Sequence, residues 1–410
     1  MLKDKKFNFL FIIFALIVLQ LIFSNNLHHS LVYLMNISQN ELFADWNVII
    51  SAIQCKISGF DVFLENPCDK YRRTHVYGSI FLKIPFFEKY SNFYLIYFPY
   101  TIISVFISII ILHFNLKNAI ELILCTLFIF SPPSLLAVER FNNDLLVFLL
   151  LITACYSRSN FTNFLLISFA TMAKFYPIVS SIILILRGKN FNRFFYFSLF
   201  WVTIIIFFYY ELNNIKKIFL MKDQFIASWG MSFSINNIFV LSSPLQISIS
   251  RINLIIFTLI VAFFLILIFF SKTKKIKIFQ SYDFNNYQNR LFFVGLIICV
   301  LNYFIFTNYF YREIFLFFVY PFLITNKNNN TLIRNILYFI IGRHIFFFIS
   351  NYLYLTVSVK SYPVFSKINY LVSIKPLLDL FLICALSGIL LRICANLLEK
   401  IIKEKKYEVN

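Results

Sequence analysis

The chain is poor in charged residues and in glycine. Charged residues make up 13% of its 410 positions, whereas an average soluble domain carries about 25%. This deficit excludes an ordinary soluble domain. Seven glycines are present, and they form no glycine-rich loop of the kind that holds nucleotide phosphates. The sequence therefore does not predict an enzyme that takes its phosphate or its sugar from a nucleotide.

Metal-ligating residues are also sparse. The seven cysteines and five histidines show no spacing typical of a metal site, so neither a metal nor a bound cofactor is predicted. Five of the cysteines lie within or against apolar runs, where cysteine usually packs as a small hydrophobic side chain. Cys55 and Cys68 share one polar segment, and they can form a disulfide if that segment faces an oxidising compartment.

Long apolar runs dominate the rest of the chain. It is 60% hydrophobic and 20% aromatic, with a mean hydropathy of +0.78. Apolar runs of about 18 residues or more recur along its length, which is typical of transmembrane helices. We therefore expect an all-α polytopic membrane protein with about 10–12 transmembrane helices. A single transmembrane domain over residues 1–410 is predicted, with the lipid bilayer as a partner.

The formal net charge of +19 does not indicate nucleic-acid binding, because membrane proteins gather Lys and Arg in their cytoplasmic loops. Applied to the flanks of the apolar runs, this rule predicts a multi-pass protein of the plasma or inner membrane with both termini cytoplasmic. The first helix, 7–24, leads into a large outer loop, 25–92. A helical bundle, 93–391, and a basic cytoplasmic tail, 392–410, follow.

The apolar stretch 161–186 does not fit a single crossing. Both of its flanks are basic, and Lys174-Phe175-Tyr176-Pro177 interrupts its middle. Two short helices that meet at this break satisfy both flanks. Irregular backbone at membrane depth is tolerated only where it is buried in protein or lines a cavity. The sequence therefore predicts a broken helix at Lys174.

Four polar features are predicted to lie on the same, outer side of the membrane. They are Asp45 in the outer loop, the run Glu139-Arg140-Phe141-Asn142-Asn143-Asp144 between the third and fourth spans, Lys174 at the break, and Arg312 at the tip between the ninth and tenth spans. Any one of them is explained by contact with lipid headgroups. Charged residues at membrane segments are nevertheless rare and often mark a site, so four on one face favour a functional site.

A site on the outer side has no access to cytoplasmic nucleotide sugars or ATP. A transfer reaction there needs a donor that is already in the membrane, such as a sugar on a polyprenyl phosphate. A carboxylate at the membrane surface can act as a general base on an acceptor hydroxyl. Arg and Lys can stabilise the departing phosphate. These residue types therefore suit glycosyl transfer from a lipid carrier.

The arrangement resembles the GT-C class of polyprenyl-phosphate-dependent glycosyltransferases, most closely the mannosyltransferase-like proteins of glycosyltransferase family 87. The resemblance covers residues 40–325 in the family's order. Its motifs are Asp45-Trp46 with Gly59 and the Tyr-to-Pro stretch 77–85, the run 139–144, Lys174-Phe175-Tyr176-Pro177, and Tyr311-Arg312. Phe141 stands where the family has glycine.

The resemblance implies a GT-C-like bundle and an inverting membrane glycosyltransferase. Such an enzyme moves a mannose-like hexose from a polyprenyl-phosphate donor to a glycan or lipid acceptor on the non-cytoplasmic face. The resemblance implies that Asp45 is the catalytic base, with Asp61 and Asp69 as reserve candidates. Substrate- or phosphate-binding roles are expected for Arg72, Arg73, His75, Glu139, Arg140, Asn142, Asp144, Lys174 and Arg312.

Other functions stay open. A lipid-linked oligosaccharide polymerase or ligase is also polytopic, but it usually has its main outer loop late in the chain. A transporter or flippase tends to show internal repeats and ionisable residues at the bilayer midplane, and the sequence has no internal repeat. A relative that keeps the fold without the activity is the third alternative, because fold does not fix function. The sugar, the acceptor, any requirement for a metal and the oligomeric state do not follow from the sequence.

Overall fold

The computed structural model describes ten segments of the chain. They are 2–22, 41–83, 91–114, 119–186, 190–220, 251–274, 276–280, 282–305, 310–358 and 365–408. These segments contain α-helices, three short 3-10 helices and no β-strand. The prediction of an all-α protein is thereby confirmed.

Five helices of the described segments are long and apolar enough to cross a membrane. Their apolar spans are Tyr97–Phe114, Phe194–Ile218, Ile255–Thr273, Tyr287–Phe304 and Leu377–Lys400. A sixth crossing results if Glu121–Ile129 and Pro132–Glu139, which meet at a bend of 45°, form one span. The chain is therefore a multi-pass membrane protein, while the larger number of 10–12 crossings stays a prediction.

Two compact units divide the chain: Met1–Ile226 with Tyr311–Ile314, and Ala227–Phe310 with Phe315–Asn410. The described part of the first unit contains nine α-helices: α1 (Leu2–Ile22), α2 (Ala44–Ile57), α3 (Ser91–Phe114), α4 (Ala119–Ile129), α5 (Pro132–Glu139), α6 (Asp144–Tyr156), α7 (Asn160–Ala173), α8 (Ile182–Leu186) and α9 (Asn190–Leu220). The described part of the second contains six: α10 (Arg251–Thr273), α11 (Lys277–Gln280), α12 (Tyr287–Ile305), α13 (Tyr320–Asn326), α14 (Thr331–Ser358) and α15 (Phe365–Glu408). The 3-10 helices are Ser79–Lys83, Tyr176–Ser181 and Phe310–Phe318.

The two prolines at 132 and 133 separate α4 from α5. Ser131 precedes them and caps α5, because its hydroxyl oxygen accepts a hydrogen bond from the Ser134 amide. Proline is well suited to the first turn of a helix, where its missing amide proton is not needed. Helix α4 therefore ends just before these prolines, and α5 begins at once.

The predicted break at Lys174 is also confirmed. Helix α7 ends at Ala173, and Lys174 takes an extended conformation with φ −143° and ψ 134°. The 3-10 helix Tyr176–Ser181 follows, with Pro177 in its first turn, and it leads directly into α8. Two short helices therefore meet at Lys174, as the basic flanks of this stretch require.

Helix α2 forms within the predicted outer loop, and the first unit buries most of it. Nine of its 14 residues are buried, and Trp46 is fully enclosed.

The polypeptide after α2 is fastened at several points. A disulfide joins Cys55 to Cys68, so the pairing that the sequence left open is formed. Asp61 makes an ion pair with Lys217 of α9. The disulfide therefore constrains the segment that leads to the candidate site, whereas the ion pair is partly exposed and adds little.

The second unit is held by close helix packing. Helix α15 packs against α10, α12 and α14. A side chain at Gly388 would place a Cβ 2.6 Å from the Cβ of Phe269, so glycine allows α10 and α15 to approach. Arg343 of α14 and Asp379 of α15 form a buried ion pair.

Candidate functional site

Main-chain hydrogen bonds join the start of α2 to the segment 139–144. The amide of Phe43 donates to the carbonyl oxygen of Glu139 at 2.8 Å, and the amide of Asp45 donates to that of Arg140 at 3.0 Å. Glu139, the last residue of α5, is fully buried. Asp45 is therefore fixed against this segment by its backbone as well as by its side chain.

Phe141 occupies the left-handed region of the backbone map, with φ of 44°. This conformation costs a residue other than glycine about 1 kcal/mol or more. The phenyl ring is fully buried, with ring centroids 6.0 Å from Phe43, 5.4 Å from Trp46 and 5.9 Å from Phe98. Packing of the ring therefore offsets the backbone strain. Phenylalanine can then occupy a turn position that favours glycine.

The carboxylate of Asp45 is held at both oxygens. Oδ1 accepts from Nε of Arg140 at 2.9 Å and lies 2.7 Å from its Nη2, while Oδ2 accepts from Nδ2 of Asn142 at 2.5 Å. Burial by itself would raise the pKa of Asp45, but the charge and hydrogen bonds of Arg140, with that of Asn142, lower the pKa below its ordinary value of 3.8. Asp45 is therefore an anion at neutral pH.

Asn142 connects Asp45 to the helix break. Its Oδ1 accepts from Nζ of Lys174 at 2.7 Å and from the amide of Asp144 at 3.0 Å. The same Nζ lies 2.8 Å from Oδ1 of Asp144. One amide side chain thus links the two carboxylates and the lysine into a single network.

Asp144 extends the network to the 3-10 helix Phe310–Phe318. Its Oδ1 accepts from the hydroxyl of Tyr176 at 2.8 Å, and its Oδ2 lies 3.6 Å from Nε of Arg312. The guanidinium of Arg312 lies 4.8 Å from the centroid of the Tyr176 ring. Two carboxylates and three cations, contributed by four separate parts of the chain, therefore form one cluster with one excess positive charge.

Gly78 allows the loop to reach this cluster. Its amide donates to the carbonyl oxygen of Ala173 at 3.4 Å, and a Cβ at this position would lie 1.8 Å from the carbonyl oxygen of Met172. The neighbouring Tyr77 has its ring centroid 5.4 Å from Nζ of Lys174. Glycine is therefore required where the loop meets the broken helix.

Arg72, Arg73 and His75 lie in the loop that follows the disulfide. Arg73 pairs with Asp69, with Nη2 2.7 Å from Oδ1. His75 is fully buried, and burial lowers its pKa to about 4, so it is neutral at physiological pH. Arg72 is exposed. Phosphate binding by these three residues stays a prediction, and a neutral histidine contributes no charge to it.

Sequence reasoning placed Asp45, Arg140, Asn142, Asp144, Lys174 and Arg312 together, and the structure joins all six by contacts. The sequence pattern did not mark Gly78, the role of Tyr176, or Glu211 of α9, whose carboxylate accepts a hydrogen bond from the hydroxyl of Ser79. Its position directly after Tyr77 was the available indication in the sequence that Gly78 is important. Nothing local in the sequence marks Glu211.

Within the described segments, no three His, Cys, Asp or Glu side chains come together as metal ligands would. The sequence predicts no metal-ligating residues and leaves a metal requirement open. Comparisons of the chain with family models, with curated proteins and with solved structures find no match. The resemblance to glycosyltransferase family 87 therefore depends on the motifs alone.

Proposed function

We propose that this chain is an integral membrane glycosyltransferase with a GT-C-like bundle. It transfers a hexose, mannose-like in its stereochemistry, from a polyprenyl-phosphate donor to a glycan or lipid acceptor. The reaction takes place on the non-cytoplasmic face of the plasma or inner membrane and inverts the anomeric centre.

The observation that carries this proposal is the charged cluster around Asp45. An ionised carboxylate and three cations are brought together from segments that lie far apart in the sequence. Buried ionisable groups in a membrane protein are costly and are usually kept for function. A base for the acceptor and cations for the leaving group are what transfer from a lipid phosphate requires.

In the proposed mechanism, Asp45 accepts the proton of the acceptor hydroxyl. The acceptor oxygen forms a bond to the anomeric carbon as the bond from that carbon to the phosphate oxygen breaks. Polyprenyl phosphate leaves with the bonding electron pair, and one displacement inverts the anomeric centre. Arg140 and Asn142 hold the carboxylate in position, because each fixes one of its oxygens.

Lys174 and Arg312 are the proposed phosphate-binding cations. A lysine acts as a point charge, whereas an arginine can contact two phosphate oxygens at once. Asp144 and Tyr176 orient them, since Asp144 contacts Lys174 and Tyr176 lies against Arg312. Charge that builds up on the departing phosphate would be stabilised by these fixed groups.

The disulfide supports the proposed orientation in the membrane. Cys55 and Cys68 flank the loop that leads to the site, and disulfides persist in oxidising compartments outside the cytosol. The ion pair of Asp61 with Lys217 ties the same loop to the C-terminal end of α9. The disulfide therefore agrees with a site on the outer side.

A transporter or flippase is the second candidate, and one observation favours it. The second unit buries Arg343 and Asp379 as a pair between α14 and α15. Ionisable pairs inside helical membrane units are often part of transport pathways. The two candidates differ in what becomes of the substrate, because a transporter returns it unchanged.

The test uses proteoliposomes with the purified chain, a polyprenyl phosphate that carries radiolabelled mannose, and membranes of the source cells as acceptor. We expect labelled glycan or glycolipid together with free polyprenyl phosphate. Movement of intact donor between leaflets, with no labelled product and no polyprenyl phosphate released, would contradict the proposal and favour the transporter.

A further inference from the structure

The side-chain amide of Asn143 is buried and makes no hydrogen bond to any described residue. The residue is 1% exposed, and neither Nδ2 nor Oδ1 has a partner within the part of the chain that the structure describes. A buried polar group without a partner costs stability. Because both ends of the amide are unsatisfied, rotating it by 180° does not remove the cost.

Asn143 is not needed to cap the helix that follows it. Asparagine at the position before a helix usually accepts a hydrogen bond from an amide of the first turn. Here its side chain makes no capping bond, and Oδ1 of Asn142 accepts from the amide of Asp144 instead. The main-chain oxygen of Asn143 already accepts from Val147 at 3.0 Å. The local structure therefore gives the amide no role.

The residues on either side of Asn143 both belong to the charged cluster. Asn142 bonds to Asp45 and Lys174, and Asp144 contacts Lys174 and Arg312. Oδ2 of Asp144 is also without a hydrogen bond among the described residues. Unsatisfied polar atoms thus gather in the segment that links the proposed base to the proposed phosphate-binding cations.

The chemistry of an amide limits what can satisfy it. Nδ2 needs an acceptor, and Oδ1 needs a donor. A phosphate or a carboxylate supplies acceptors only, whereas sugar hydroxyls both donate and accept. A ligand rich in hydroxyl groups can therefore satisfy both ends of Asn143 at once.

We propose that Asn143 binds the sugar carried by the donor. One hydroxyl donates to Oδ1, and a second accepts from Nδ2. This inference rests on the proposed function, because the sugar must lie between the phosphate-binding cations and the base. The amide is then a specificity-determining group whose cost to the free protein is recovered when substrate binds.

The test compares Asn143→Leu with the wild type in two equilibrium binding measurements on purified protein. One uses polyprenyl phosphate linked to mannose, and the other uses polyprenyl phosphate alone. We expect the variant to bind the sugar-linked lipid about 3- to 10-fold more weakly, as the loss of one or two neutral hydrogen bonds implies. Its affinity for polyprenyl phosphate alone is expected to match the wild type.

Thermal unfolding supplies the second measurement. Removal of an unsatisfied buried amide is expected to raise the melting temperature of Asn143→Leu by about 1–4 °C. The matched control is Asn396→Leu in the second unit, where Nδ2 donates to the carbonyl oxygen of Phe279 at 2.7 Å. That variant is expected to melt at a lower temperature and to bind both lipids as the wild type does.

The ratio of the two affinities decides the outcome. If Asn143→Leu leaves that ratio unchanged, Asn143 does not bind the sugar and the inference is overturned. A lower melting temperature with an unchanged ratio would identify a structural amide. If the wild type binds neither lipid, the proposed function itself fails, which is a different result.

Discussion

Asp45 keeps its negative charge because two neighbours hold its carboxylate. Arg140 and Asn142 each bond to one oxygen, and their effect on the pKa outweighs that of burial. The folded-state pKa lies below 3.8. The contribution of this pair to stability is therefore complete above the ordinary pKa and is lost as the pH falls through the lowered one.

Replacement of Arg140 by glutamine is expected to change the pH dependence of donor turnover. Without the guanidinium, burial has the larger effect on the pKa of Asp45, and this pKa rises. The acid limb of the pH–rate profile therefore moves to higher pH. Turnover at pH 7 is expected to fall about 10- to 100-fold, because the base is less well positioned. The measurement is a pH–rate profile of Arg140→Gln beside Arg334→Gln, an exposed arginine of the second unit. An acid limb that stays in place would contradict this role of Arg140.

The six residues of the cluster were predictable because each belongs to a short polar motif in an apolar chain. Their contacts were not predictable in detail. Asn142 joins Asp45, which lies 97 positions away in the sequence, to Lys174, which lies 32 positions away. No local pattern specifies such a bridge. Phe141 shows the same limit, since only the packing of its ring explains how a turn suited to glycine accepts phenylalanine.

At the scale of helices and loops, α9 positions the loop that carries Tyr77. Glu211 of α9 is 2% exposed and accepts a hydrogen bond from the hydroxyl of Ser79. Lys83 lies 3.6 Å from the same carboxylate oxygen. Ser79 follows Gly78, which contacts the end of α7. Glu211 therefore acts on the site through the loop.

We expect Glu211→Leu to loosen the loop and to lower donor turnover by about 10-fold, because a small displacement of positioning groups has a large effect on rate. The variant is also expected to be cut faster by protease within 58–83. Lys217→Gln is the control, since its pair with Asp61 is partly exposed and exposed pairs contribute little. Wild-type turnover and protease resistance in Glu211→Leu would show that the loop is held by other contacts.

Helix breaks were the most predictable elements. The prolines at 132 and 133 and the basic flanks of 161–186 both act locally, and the structure has breaks at both places. The burial of α2 was not predicted, because a helix with one polar face suits a membrane interface as well as a protein interior. Its position depends on distant residues such as Phe98 and Phe141, which pack on Trp46.

At the scale of the whole molecule, apolar runs predict membrane insertion better than they predict the number of crossings. Helices α6 and α7 have 13 and 14 residues, which corresponds to about 20 Å. The hydrocarbon core is about 30 Å thick, so helices of this length do not cross it alone. They instead bring residues 139–144 and Lys174 to the charged cluster.

The described segments thus combine an apolar helical framework with a dense cluster of charge in the first unit. The framework follows from composition, since the long apolar runs require helices in a bilayer. The cluster forms at helix ends and breaks, because main-chain groups there have no hydrogen-bond partner within the helix. This division explains why the residues of the site occur at the boundaries of α2, α5, α6 and α7.

The most direct test of the central claim is donor turnover by Asp45→Asn in proteoliposomes, after its expression and membrane insertion have been checked. The control is Asp61→Asn, which removes another loop carboxylate that is partly exposed and paired with Lys217. Loss of a general base predicts a decrease of about 100-fold or more for Asp45→Asn, with near wild-type turnover for Asp61→Asn. Undiminished release of polyprenyl phosphate by Asp45→Asn would contradict the assignment of Asp45 as the base.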